Sequence, residues 1–253
     1  MTFIRSLLYA VWFYVTLVVI GLICMPICMF SRGAAMSAIR FWCGLQRIGL
    51  RVLCGIRTEF RGLEHLPKGS GLIAMKHQST YDTIAPFLVI RNPGYILKKE
   101  LLKIPVFGVY ASRVGIPIDR EGGAKTMKLM LAAAKAGLAS GQQIVIFPEG
   151  TRQLPDTPTD IKPGVVFIYN ELKVPCVPIA LNTGLCWQGS GFLRQPGHVI
   201  FEVLKPIEPG LTRRELTQRL KDALDPATER LVAEGRAAQG KHATPREVVK
   251  PTG

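Results

Sequence analysis

Three kinds of apolar pattern succeed one another along the chain. Residues 7–30 form an uncharged run of 24 positions, long enough for a helix to cross the hydrocarbon of a bilayer. Behind it, Arg40, Arg47 and Arg51 stand seven and four apart among Ile39, Phe41, Trp42, Leu45, Ile48, Leu50, Val52 and Leu53. At 3.6 residues per turn the three arginines share one narrow stripe of an otherwise apolar helix. From about Ile56 onward, short β-branched runs bounded by Gly and Pro alternate with helical periodicities, the pattern of an α/β domain.

The runs predict strands over 57–61, 72–75, 95–97, 114–118, 143–147, 176–180 and 199–203. Helical periodicity predicts helices over 81–90, 106–113, 123–140, 165–172 and 212–234, the last bent or broken at Pro226. Pro175 and Pro178 confine the strand 176–180 to an edge or a bulge. The expected fold is therefore α/β, a mixed sheet flanked by helices, with an N-terminal membrane-anchoring helical segment. Its divisions are an anchor and interfacial helix over 1–55, a domain over 56–236 and a polar tail over 237–253.

Charge changes the picture. Thirty-two Lys and Arg against eighteen Asp and Glu give a net +14, which calls for an acidic partner: nucleic acid, an anionic bilayer or phosphate-bearing small molecules. No zinc-ligand spacing and no basic-aromatic sheet motif accompanies the charge, so nucleic acid is not expected. A secretory signal would have a shorter apolar stretch and a small-residue cleavage site, where this run ends in Cys28-Met29-Phe30-Ser31-Arg32. Only Arg5 precedes the run while Arg32, Arg40, Arg47, Arg51, Arg57 and Arg61 follow it, so the bulk of the chain is expected on the cytoplasmic side of an inner membrane. Pro26 leaves open whether the segment crosses both leaflets or dips into one. The arginine stripe suits a helix in the interface, with its cations at headgroups and Trp42 at the boundary. The six cysteines form no CxxC pair and most lie in apolar runs, as buried thiols of a reduced compartment do.

Chemistry-bearing residues gather in two places. In Lys76-His77-Gln78-Ser79-Thr80-Tyr81-Asp82, which follows a strand, His77 is able to exchange a proton near neutral pH and Asp82 could fix its tautomer. On one continuous helix a five-residue spacing would set the two side chains about 140° apart. They meet only if His77 lies on the turn and Asp82 on the first helical turn, with Ser79 as the N-cap. Ser79-x-x-Asp82 also reads as a capping box, in which Asp82 only satisfies a helix end. The second place is Phe147-Pro148-Glu149-Gly150-Thr151-Arg152, a tight turn after a buried strand. It offers an acceptor, a hydroxyl and a planar cation suited to phosphate, or else a solvated structural turn. Asp119-Arg120, closing Gly115-Ile116-Pro117-Ile118, supplies either a second phosphate ligand or a surface pair. Val174-Pro175-Cys176-Val177-Pro178-Ile179-Ala180 reads as a wall of the core or of a pocket.

In order and spacing these four blocks resemble the motifs of the glycerolipid acyltransferases, specifically the 1-acyl-sn-glycerol-3-phosphate (lysophosphatidate) acyltransferases of bacteria. The likeness covers about residues 71–182 and includes Lys98-Lys99-Glu100-Leu101 ahead of Ile104-Pro105-Val106-Phe107-Gly108. Two positions depart: Lys76 stands where many members have Asn, and Pro117 where an aromatic or aliphatic residue is common. The resemblance implies His77 and Asp82 as catalytic residues, with Arg120, Glu149, Gly150, Thr151 and Arg152 binding substrate. It implies acylation of the sn-2 hydroxyl of 1-acyl-sn-glycerol-3-phosphate to phosphatidate, without metal or cofactor, and with acyl-CoA or an acyl carrier protein thioester as co-substrate. Other readings are transfer to another lyso-lipid such as a lyso-ornithine lipid, hydrolysis of the thioester or a lipid, and a silent scaffold at the membrane surface. No Gly-x-Ser-x-Gly elbow supports a serine hydrolase.

Overall fold

The computed structural model describes residues 1–118 and 123–240. It opens with two long helices, α1 (Thr2–Cys28) and α2 (Arg32–Cys54). Ser31 caps α2 by accepting from the Ala34 amide, and Gly55, in the left-handed region at φ 69°, ends it. The two helices are antiparallel along their whole length. Trp12 Nε1 donates to the Leu45 carbonyl at 3.2 Å, Gln46 Nε2 to Thr16 Oγ1 at 2.8 Å, and Cys54 Sγ meets the Arg5 carbonyl at 3.7 Å. The seam is close because residue 49 is glycine: a Cβ there would stand 2.6 Å from the Trp12 ring.

Seven described strands follow: β1 (Ile56–Arg61), β2 (Gly71–Met75), β3 (Pro93–Lys98), β4 (Ile116–Ile118), β5 (Gln143–Ile146), β6 (Cys176–Leu181) and β7 (Gly197–Val203). They form one sheet in the order β1-β7-β6-β2-β5-β3-β4, parallel throughout except for the antiparallel β6–β7 pair. The remaining helices are α3 (Phe107–Val114), α4 (Gly123–Ala139), α5 (Pro163–Leu172) and α6 (Arg213–Ala238).

Both faces of the sheet's centre are covered, which is why β2, β5 and β6 read as near-continuous apolar runs. Ile73, Met75, Val145, Val177, Ile179 and Phe201 point to the side where α1 and α2 lie. Their strand neighbours Leu72, Ala74, Ile144, Cys176, Ala180 and Ile200 point to α4, α5 and α6. Five of the six cysteines are buried.

Several expectations need correction. The helix expected over 81–90 is instead two 3₁₀ turns, Thr80–Thr83 and Ala85–Leu88. Pro86 has no N–H to donate to the preceding turn, which disfavours an α-helix over this short segment. Conversely, α6 is unbroken through Pro226, where one missing N–H is outweighed by the buried stripe Leu216, Leu220, Leu224 and Leu231. The prolines do not put β6 at an edge. Cys176 pairs with Ile207 and Ile179 with Val203, so three residue steps on β6 oppose four on its partner. Pro178 falls within that bulge, where its missing donor is tolerated.

The arginine stripe of α2 also divides. Arg40 turns inward and donates to the carbonyls of Phe87, Ile90 and Arg91, closing the end of the second 3₁₀ turn. Trp42 lies in the α1–α2 seam, 5.0 Å from the Phe13 ring, with its Nε1 on Thr16 Oγ1.

α1 is the one described helix long and apolar enough to cross a membrane. One face of it, with Tyr9 and Ser6 buried, packs on the rest of the protein. The opposite face leaves Phe3, Ile4, Leu8, Val11, Val15 and Ile23 exposed.

Candidate active site

Three adjacent parallel strands, β5, β2 and β6, end at the same edge of the sheet, where open α/β sheets collect ligands. The chain leaving β2 carries Lys76 and His77, that leaving β5 carries Phe147 to Arg152, and that leaving β6 carries Asn182 and Thr183.

His77 stands on the turn and Asp82 in the first 3₁₀ turn, the geometry that lets them meet. His77 Nδ1 is 3.1 Å from Asp82 Oδ2. The same oxygen accepts from the amides of Gln78 at 2.6 Å and Ser79 at 2.7 Å, while Ser79 Oγ accepts from the Tyr81 amide at 3.1 Å. Capping and imidazole orientation are thus not alternatives, since one carboxylate does both. Its second oxygen accepts from Thr183 Oγ1 at 2.6 Å. Asp82 is wholly buried yet fully partnered, which keeps an ionised carboxylate tolerable there.

With Nδ1 donating to Asp82, Nε2 carries the basic lone pair, and no described residue bonds it. The Phe147 ring stacks on the imidazole at 3.9 Å and 19°, fixing its plane. The loop is tied on all sides: the Gln153 amide donates to the His77 carbonyl at 2.7 Å, and Gln78 Nε2 to the Leu181 carbonyl at 3.1 Å. Such an arrangement can take a proton from a hydroxyl at Nε2 and hold the resulting imidazolium against a carboxylate.

Glu149 lies beneath this surface. It is fully buried, accepts from the His77 amide at 2.9 Å through Oε2 and pairs with Lys76 Nζ at 3.1 Å through Oε1. Burial raises its carboxyl pKa above the usual range, while the nearby Lys76 ammonium pulls the other way. Neither oxygen is presented to a ligand, unlike the acceptor expected of it. Gly150 takes a left-handed φ of 68°, and this turn exposes Thr151 and Arg152 at the edge. Arg120 lies outside the described residues. Among the described residues no group of three His, Cys, Asp or Glu side chains is placed to hold a metal ion.

Sequence reasoning had no role for Thr183 or Gln78, and saw Lys76 only as a departure. Thr183 is 101 residues from Asp82 along the chain. The one available signal was the polar pair Asn182-Thr183 immediately after a buried strand.

A family model described as Acyltransferase matches residues 57–182. A 1-acyl-sn-glycerol-3-phosphate acyltransferase of Pseudomonas aeruginosa is 33% identical over 162 residues, 64% of this chain and 63% of that protein. The human 1-acyl-sn-glycerol-3-phosphate acyltransferase alpha is 28% identical over 169 residues, 65% of this chain and 58% of its own length. The chain thus matches less than two thirds of either relative. The crystal structure of the 1-acyl-sn-glycerophosphate (LPA) acyltransferase PlsC from Thermotoga maritima superposes with a TM-score of 0.77 at 21% identity, covering 92% of this chain and 98% of that one, and so shares its fold. With the His77–Asp82 pair and the Phe147–Arg152 turn inside the matched region, the chain belongs to the acyltransferase family.

Proposed function

We propose that this protein transfers a fatty acyl group from a thioester to the sn-2 hydroxyl of 1-acyl-sn-glycerol-3-phosphate, giving phosphatidate. The observation that carries the reading is the buried Asp82 carboxylate on His77 Nδ1, at a sheet edge shared with the Arg152 turn. Relatives bearing that activity in their names support the choice of substrate.

His77 Nε2 removes the proton as the acceptor oxygen attacks the thioester carbonyl. The tetrahedral oxyanion then expels the thiolate, forming the ester, and the imidazolium returns its proton to sulfur. General base catalysis of this kind supplies roughly 10²–10⁴-fold, so positioning must supply much of the rest. Arg152, with Gly150 and Thr151, receives the glycerol phosphate, and the family resemblance adds Arg120. Glu149 acts from below by holding the His77 amide.

The acceptor is a membrane amphiphile, and the exposed face of α1 gives the site a hold on the bilayer that contains it. α1 is paired throughout with α2, which bears Arg32, Arg40, Arg47 and Arg51 and packs on the sheet. Carrying those arginines through hydrocarbon is costly, so the hairpin lies in one leaflet, on the cytoplasmic side of the inner membrane. The thioester carrier is CoA or acyl carrier protein, and nucleic acid is not a partner.

The test is to purify the protein with His77→Ala and Asp82→Ala variants in detergent. Labelled acyl-CoA and acyl carrier protein thioesters are supplied with a panel of lyso-acceptors, and products are identified by mass spectrometry. Phosphatidate from the wild type and at least a hundred-fold less from either variant is expected, given the size of general base effects, roughly 10²–10⁴. Near wild-type turnover in either variant would end the proposal. An acylated lyso-ornithine product alone would move the acceptor, and free fatty acid without acceptor would mean hydrolysis.

A further inference from the structure

Beside the candidate active site, at the start of β1 and β7, Arg47, Arg51 and Arg57 converge with Thr58, Glu59 and His198 on one recess. It lies where the last turns of α2 meet β1 and the parallel β7. Its one carboxylate is already engaged: Glu59 Oε1 is 2.7 Å from Arg61 Nε, and Oε2 is 3.0 Å from His198 Nε2. Among the described residues no carboxylate pairs with Arg47, Arg51 or Arg57.

Three uncompensated guanidiniums facing one recess repel one another, and the i,i+4 pair on α2 does so at helix-neighbour distance. The helix dipole accounts for a cation at Arg51, in the last turn, but not for Arg57 on the strand beside it. Planar guanidiniums converging in this way match the oxygens of a phosphate.

The surroundings indicate which phosphate. Ile48 and Val52 are 56% and 73% exposed, and Ile48, three residues before Arg51, borders it on the surface of α2. Cys54 touches the Arg5 carbonyl, which brings the exposed Phe3, Ile4 and Leu8 of α1 to the same end of the hairpin. The recess therefore opens at the rim of the apolar face. A soluble anion needs no such neighbour, whereas a phospholipid carries phosphate and acyl chains in that relation.

We propose that this recess, built from α2, β1 and β7, holds the headgroup phosphate of an anionic membrane phospholipid. The recess shares the sheet edge that bears His77, because β1 and β7 begin where the antiparallel β6 ends, and Thr58 Oγ1 lies 2.9 Å from Tyr81 Oη. None of its arginines belongs to the His77–Asp82 site, and the inference does not depend on acyl transfer. It replaces the expected row of Arg40, Arg47 and Arg51: Arg40 is spent on backbone carbonyls, and Arg57 takes its place.

The experiment is vesicle flotation of the purified full chain. Phosphatidylcholine vesicles are compared with phosphatidylcholine vesicles containing a minority of phosphatidylglycerol. The Arg51→Gln/Arg57→Gln variant is set against Arg213→Gln/Arg214→Gln, which removes the same charge from the start of α6 on the other face of the sheet. The wild type should prefer the anionic vesicles. Arg51→Gln/Arg57→Gln should lose about twenty-five-fold of that preference, roughly five-fold per basic side chain at an anionic surface, and still float with neutral vesicles through its intact apolar hairpin. Arg213→Gln/Arg214→Gln should keep most of the preference. A wild type without preference, a recess variant that retains it, or an equal loss in both variants would overturn the proposal.

Discussion

Lys76 Nζ lies 3.1 Å from Glu149 Oε1 with both side chains sealed from solvent. Lys76 also donates to the Thr157 carbonyl at 3.1 Å and Thr159 Oγ1 at 2.9 Å, and Asp225 stands behind Thr159 at 2.5 Å. Glu149 in turn holds the His77 amide. The lysine that departs from the family pattern is therefore the cation that lets a buried carboxylate brace the candidate base. Removing one partner of such a pair costs about 3–5 kcal/mol, and Lys76→Met should lose that much in urea unfolding.

The same pair fixes a pH dependence. Burial already raises the Glu149 pKa, and Lys76 opposes the rise. In Lys76→Met the folded-state value climbs further. A group raised in the folded state contributes stability that is present below its unfolded value and lost as pH rises through the folded value. The deficit of Lys76→Met against wild type should therefore be smaller near pH 5 than near pH 8, when urea midpoints are compared with equal m-values. An equal deficit at both would mean that Lys76 does not govern the titration of Glu149.

Thr183→Val should lower kcat while leaving the acceptor KM nearly unchanged. Thr183 Oγ1 donates to Asp82 Oδ1 at 2.6 Å and is buried, so it positions the carboxylate without touching substrate. A hydrogen bond to a charged group is worth about 1.5–3 kcal/mol, or roughly one to two orders of magnitude in rate if all of it is lost in the transition state. Thr183→Ser should recover most of the rate. Unchanged kcat in Thr183→Val would mean that the two amides on Asp82 suffice.

That threonine marks the limit of what the chain discloses by itself. The inner strands β2, β5 and β6 were legible because each is a short apolar run buried on two faces, and the His77–Asp82 pair was legible through the family motif, since its five-residue spacing alone left a capping box as the other reading. Thr183, Gln78 and the Arg40 carbonyl contacts were not, because each depends on which strands are neighbours, and spatial order does not follow chain order here. The failure at 81–90 was of another kind. The apolar periodicity of 81–90 is helical, but Pro86 within it has no N–H to donate to the preceding turn.

Arg152→Ala should raise the KM for lysophosphatidate about ten-fold or more, as loss of a charge-assisted phosphate contact does, with little change in the donor KM. Arg152 is exposed on the turn that Gly150 makes possible, so its removal should leave the urea midpoint where it was. Arg152→Lys should recover only part of the affinity, because an ammonium cannot form the planar two-point contact. Equal acceptor KM values in all three proteins would remove Arg152 from the site.

Arg194 joins the helical hairpin to the sheet and carries the last prediction. Its guanidinium lies 3.6 Å over the Trp187 ring and 5.5 Å from that of Tyr9 on α1, while its amide donates to Ser6 Oγ at 2.8 Å. Only 7% of the residue is exposed, and a desolvated cation–π contact is worth about 2 kcal/mol. Arg194→Met keeps the bulk of the stem and removes the charge, so α1 should detach from the sheet more often while the core stays intact. Amide exchange across the N-terminal half of α1 should then quicken by roughly thirty-fold, the equivalent of about 2 kcal/mol of local opening, with β2 and β5 unaffected. Because Gly189 bonds both Gln78 and Thr80 two residues beyond Trp187, kcat should fall as well, by less than in Thr183→Val. Faster exchange throughout the sheet would instead mean that Arg194 stabilises the whole fold, and unchanged exchange in α1 would mean that the stacked rings hold the helix without it.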